Sequence, residues 1–125
     1  MRVPVHVGGG PVPDLPLSPA IRSGGHLFPT GMTGSGADGS MPEDPRAQFD
    51  AIFGKIEMVL GAAGASLDAV VEMTSYHVEM ARHFETFESV LRRRLATPYP
   101  AWTAVEVAGL RRGGALVEVR VIAQA

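Results

Sequence analysis

Pro98-Tyr99-Pro100-Ala101-Trp102-Thr103-Ala104-Val105-Glu106-Val107 is the stretch on which the fold of this chain turns. From Trp102 to Val107 side chains alternate as on a strand, and the same alternation returns over Leu116 to Ala123, where Val117, Val119 and Val121 share one face and Glu118 and Arg120 the other. Arg111-Arg112-Gly113-Gly114 joins the two.

Upstream the period changes from two to that of a helix. Phe84, Phe87, Val90, Leu91 and Leu95 make one apolar side, with Glu85, Glu88, Arg92 and Arg93 elsewhere. Glu88 and Arg92 are spaced i, i+4 in the favourable order, and Arg92-Arg93-Arg94 reads as a solvated helix face. Val70 to Met80, with Val71, Thr74, Tyr76 and Val78, has the β-branched and aromatic content of a strand. Before it, Phe49, Ile52, Phe53, Ile56, Val59, Leu60 and Ala63 fall at i, i+3, i+4, i+7 spacing, the strongest helical pattern in the chain. Asp44-Pro45 supplies an N-cap and N1 proline, Gly64 a left-handed end, and Ser66-Leu67-Asp68 a cap for one further turn. Gly24-Gly25 between short apolar runs predicts a hairpin, with Pro29 at an edge or strand end. Residues 31 to 42 read as loop, and residues 1–19, rich in Pro and Gly, as an extended arm on a single domain of residues 20–125. The order strand, strand, helix, strand, helix, strand, strand predicts an α+β layer structure with helices on one face of a mixed sheet.

Composition narrows the function classes. At 125 residues the chain fits one domain, small enough that oligomerisation would help it bury surface. A net charge of -2 gives no basic footprint for nucleic acid, so neither DNA nor RNA is expected as partner. Without cysteine there is no disulfide, thiolate catalysis or cysteine metal site. His6, His26, His77 and His83 lack compact ligand spacing, and the glycine clusters do not link a strand to a helix as phosphate loops do, so neither metal nor cofactor is expected. The N-terminal residues lack the continuous apolar core of a signal peptide, no later run approaches the length of a membrane span, and a cytoplasmic protein is the expectation.

Several short features then stand together in order: Pro16 with Ser18, Thr30-Gly31, Gln48, Leu60-Gly61-Ala62-Ala63-Gly64, Phe84, Pro100-Ala101, Val105-Glu106-Val107-Ala108, and Glu118 with Ile122-Ala123. From about Pro16 to Ala123 the chain resembles the Rid/YjgF family of reactive-intermediate deaminases, which hydrolyse enamines and imines of amino acids. The resemblance implies a chorismate-mutase-like fold and a homotrimer with ligand clefts between neighbouring subunits. It also implies site positions: Leu17 where the family has a tyrosine, Thr30 for its serine, Gly31 beside it, Glu88 for an asparagine, Trp102 for the arginine that grips the substrate carboxylate, Ala104 where a thiol is frequent, and Glu118 as the glutamate that orients the attacking water.

The replacement at Trp102 decides what chemistry is expected. A bidentate guanidinium–carboxylate contact comprises two charge-assisted hydrogen bonds of roughly 1.5–3 kcal/mol each, so its loss costs on the order of a hundredfold or more. An indole offers one neutral donor. Weak or absent activity on 2-imino acids is therefore expected, with Trp102 acting as an aromatic wall for a flat, apolar or cationic ligand or as bulk filling the cleft. Arg120, on the face of Glu118, is either a replacement cation or half of an ordinary surface pair; Arg22 and Arg82 are weaker candidates. Three functions stay open: a small-metabolite-binding imine or enamine hydrolase, a non-catalytic binding or regulatory trimer, and a pathway-specific enzyme on an aromatic or heterocyclic amine-derived intermediate.

Overall fold

A two-residue turn starts the main sheet. Gly24 and Gly25 take φ of 58° and 81°, the paired left-handed geometry that glycine adopts without penalty, and join β2 (Ala20–Ser23) to β3 (His26–Pro29). The computed structural model describes residues 1–7 and 15–125, so Gly8 to Gly10, Pro11 and Pro13 of the expected arm lie outside the described residues. Within residues 1–7, β1 (Val3–Val5) adds an outer antiparallel strand to β2, where Pro4 is tolerated because one side of an edge strand needs no N–H donor.

Helix α1 (Pro45–Ala62) begins and ends on side-chain and backbone caps. The Asp44 carboxylate accepts from Ala47 N–H at 3.0 Å. At the other end Gly64 takes φ 82°, Gly64 N–H donates to Gly61 O at 3.0 Å and Ala65 N–H to Leu60 O at 2.8 Å, the paired bonds of a Schellman ending. A 3-10 turn (Leu67–Ala69) leads into β4 (Val70–His77), but the Ser66 side chain makes no capping bond to it. The predicted strand to Met80 stops at His77 because Glu79, at φ 51°, reverses the chain into α2 (Met80–Arg94). Glu79 does not cap α2. Glu106 does so from β5 (Ala101–Glu106), its Oε2 accepting from Met80 N–H at 3.0 Å.

The strand order is β1-β2-β3-β6-β4-β5, with β6 spanning Val117–Gln124. Only β4 and β5 are parallel, joined by α2, and the other pairings are antiparallel. The two C-terminal strands are therefore not neighbours: β6 lies centrally and β5 forms an edge. This is the expected α+β architecture with both helices on one face. Phe49, Ile52, Phe53, Ile56 and Leu60 of α1 meet Phe87, Val90 and Leu91 of α2 over Val117, Val119 and Val121 of β6. Burial contributes about 1.5–3 kcal/mol per large side chain before the cost of ordering it.

Alternation places Ile21, Phe28, Tyr76, Ile122 and Val105 on the opposite face with Glu118 and Arg120. Among the described residues no helix covers them, and Phe28 and Val105 are each 37% exposed.

Two expectations about the arginine run are corrected. Arg92 and Arg93 are exposed as expected, but Arg94 is half-buried: its Nε and Nη2 hold the Asp50 carboxylate at 2.8 and 3.0 Å, tying α2 to α1 and holding that carboxyl below its usual range. Glu88 and Arg92 are not an ion pair either; among the described residues the pairs are Arg82–Glu79, Arg94–Asp50 and Arg94–Glu57. Arg92 instead lies along the wall of a cleft that contains Trp102.

Candidate functional site

Trp102 points to the helix side of β5. Its ring stacks on Phe84 with centroids 5.5 Å apart and planes 1° from parallel, and tilts against Phe87 at 6.0 Å. Register explains the placement: Trp102 is paired with buried Met73, so both leave the sheet on the core side. The indole Nε1–H donates to Ser75 Oγ at 2.8 Å, and Ser75 Oγ lies 2.7 Å from His77 Nε2. Ser75 and His77 are fully buried, and burial holds the imidazole below its ordinary pKa, as a neutral ring whose Nδ1 has no partner among the described residues. Trp102 lines a cleft of about 250 Å³ with Met73, Glu88, Leu91, Arg92, Tyr99 and Pro100. It is mainly apolar, with one acidic and one basic side chain. Ala104, half-buried on the same side of β5, is paired with Ser75.

Glu118 occupies a different cavity. Its carboxylate approaches Gly31 so closely that a side-chain carbon there would sit 2.9 Å from Oε2. The absence of one at Gly31 is what admits the carboxylate. Met32 bridges to Val119 and holds the Thr30–Thr33 segment beside β6. Thr30 Oγ1 donates to Ser18 O at 2.7 Å, which leaves its lone pairs to accept from a ligand. Leu15, Leu17, Met32, Thr33, Ser35, Lys55, Arg111 and Arg112 complete this cavity of about 330 Å³.

One chain therefore separates the candidate residues into two groups. Trp102 and Glu88 line the cleft between α2 and β5, while Leu17, Thr30, Gly31 and Glu118 line the pocket beside β6. Arg120 lies on the Glu118 face and lines a shallower groove with Leu17, Thr30, Gly31 and Phe28. Glu118 and Arg120 do not form an ion pair. Arg22 is committed to Ala63 O at 2.9 Å, and Arg82 to Glu79 at 3.3 Å. Among the described residues no cluster of three or more His, Cys, Asp or Glu side chains could hold a metal ion, and no helix is long and apolar enough to cross a membrane.

Sequence reasoning overlooked Arg92, Ser75, Lys55, Arg111 and Arg112. Spacing held a signal for the first, because Arg92 follows Glu88 by one helical turn and shares its side of α2. Ser75 and Lys55 carried none: their positions follow from strand register and from the path of the Thr33–Ser35 segment.

Residues 10–125 match the family Ribonuc_L-PSP, described as Endoribonuclease L-PSP. The RutC family protein YjgH of Escherichia coli is 39% identical over 108 residues, spanning 86% of this chain and 81% of that protein. A solved structure of protein YjgH superposes with a TM-score of 0.88 at 36% identity, covering 98% of this chain and 95% of the other. RidA from the Antarctic bacterium Psychrobacter sp. gives 0.89 at 28% identity, covering 99% and 100%. On the match over nearly its whole length and on the shared fold, the chain belongs to the endoribonuclease L-PSP family, which is the RidA/YjgF family.

Proposed function

We propose that the protein binds a small amine-derived metabolite in clefts between the subunits of a homotrimer, and that it hydrolyses an imine or enamine there while acting weakly, if at all, on 2-imino acids. The inter-subunit reading is supported by the division of the candidate residues into two groups and by the uncovered apolar sheet face, which a second copy would bury. The Trp102 cleft of one subunit would then meet the Glu118 pocket of the next.

In that arrangement Glu118 orients a water toward the C=N carbon and takes its proton as the bond forms. Glu118 returns that proton to the nitrogen to give the carbinolamine, which then loses ammonia or an amine as the hydroxyl proton is transferred to the departing nitrogen and the carbonyl forms. Thr30 and the backbone near Gly31 hold the ligand, and Trp102 supplies a flat wall.

The observation that carries the substrate preference is the committed indole: its N–H is already bonded to Ser75 and it bears no charge. Arg92 is the cation in this cleft, but it is exposed on a helix surface and Glu88 shares the wall. An α-carboxylate thus gains little there. Ammonia release from freshly generated 2-imino acids and from enamines without an α-carboxylate, measured on the same preparation, tests the reading: turnover of the second group only is expected. Equal rates on both would refute it, and saturable metabolite binding with no turnover of either would favour a binding trimer.

A further inference from the structure

The Glu118 pocket carries three cations, Lys55, Arg111 and Arg112. Lys55 is drawn in from α1, and its ammonium donates to Thr33 O at 2.8 Å, Ser35 O at 3.0 Å and Ser35 Oγ at 3.1 Å. All three of its donors are used, so it stands as a fixed charge. Burial, and then the Arg112 guanidinium, hold it below the usual lysine range, which places Arg112 within electrostatic reach of it. Among the described residues neither Arg111 nor Arg112 donates a side-chain hydrogen bond, and neither pairs with Glu118, although all three line the same cavity. Charges of opposite sign that share a cavity without closing on each other leave room between them. Among the described residues three positive groups line this cavity against one negative, an excess that favours an anionic ligand.

We propose that Arg111 and Arg112, backed by Lys55, bind the carboxylate or phosphate of a small metabolite in the cavity that Glu118 lines. The segment from Gly31 to Ser35 carries Glu118 at its first residue and Lys55 at its third and fifth. The chain bends at Gly34 and folds round the Lys55 ammonium, which reaches both Thr33 O and Ser35 O, so Glu118 and the cationic wall border one cavity of about 330 Å³. The ligand class is a small metabolite that carries an amine-derived C=N group for the Glu118 side and a separate acid group for the cations. This assignment of the reacting end rests on the function proposed above; the anion site itself does not.

Calorimetric titration of the full chain at low ionic strength with succinate and with inorganic phosphate tests the site without any turnover. Saturable binding is expected, at least tenfold weaker in the Arg111→Ala/Arg112→Ala double variant and tighter in Glu118→Gln. The Arg82→Ala/Arg93→Ala double variant, which removes the same charge from the exposed surface of α2, is expected to bind within twofold of the parent. Equal weakening in both double variants would reduce the effect to overall charge and overturn the proposal, as would an absence of saturable binding or an affinity indifferent to Glu118→Gln. Binding of a short RNA more tightly than phosphate, lost in Arg111→Ala/Arg112→Ala, would overturn the small-metabolite assignment. Retained anion binding in a protein that hydrolyses no imine would count against the proposed reaction alone.

Discussion

Trp102→Arg, made alone and with Glu88→Asn, probes the substrate preference most directly. The replacement removes the parallel stack on Phe84, worth about 0.5–1.5 kcal/mol, and the bond from Nε1–H to Ser75, worth about 0.5–1.5 kcal/mol. A total loss of about 1–3 kcal/mol lowers Tm by roughly 4–12 °C in a chain of this size. Against that, an introduced guanidinium in the cleft can offer two charge-assisted bonds to a carboxylate, a gain on the order of a hundredfold in kcat/KM for 2-imino acids. Glu88 lines the same cleft and would compete for the new cation, so the double variant is expected to exceed the single one. The assay is ammonia release from freshly generated 2-imino acids, with melts run alongside to verify folding. Parent activity already equal to that of the double variant would refute the reasoning. Loss of that activity in Arg92→Ala or Arg120→Ala would then identify which cation serves in place of the family arginine.

Gly31→Ala is expected to push the Glu118 carboxylate aside, because the added carbon would lie 2.9 Å from Oε2; binding or turnover should fall while Tm changes by less than about 3 °C. Phe28→Asp and Val105→Asp place a charge on the uncovered sheet face and are expected to convert an assembly of about three times 13.2 kDa into single chains by sizing and light scattering. A parent protein that already runs as one chain would remove the inter-subunit site. For His77, burial keeps the folded-state pKa below the ordinary value, so as pH falls through about 6.5 the unfolded chain takes up a proton that the native chain refuses. Stability from this group is complete above that pH and declines as pH drops toward the folded-state value. Urea melts of His77→Phe compared with the parent between pH 7.5 and 5 should show a shallower decline in the variant.

Local chemistry made much of the fold legible. Asp44-Pro45, Gly24-Gly25 and Gly64 each act through neighbours within a few residues, and each does in the structure what its residue type predicts. The alternation in β6 likewise separates Glu118 and Arg120 from the buried valines. What depends on distant partners was not legible. The Glu106 cap on α2 joins residues 26 apart in sequence, and the Arg94–Asp50 contact joins residues 44 apart. The direction of Trp102 belongs to this second kind. Alternation separates it from Thr103, but only pairing with β4 shows that its side of the strand faces α2. The cationic wall of the Glu118 pocket escaped for the same reason, since Lys55 and Arg111-Arg112 come from segments more than fifty residues apart.

The two unlike half-sites of a single chain have a genetic consequence if they meet across subunits. A surface that presents indole at one end and carboxylate at the other is not its own complement, so contacts between copies run head to tail and close into a ring. In such a ring, damage confined to either end is shared unevenly when two defective chains are co-expressed. A chain crippled at Trp102 and another crippled at Glu118 would each be inert alone, yet random mixing restores about a quarter of the junctions by bringing an intact end of each together.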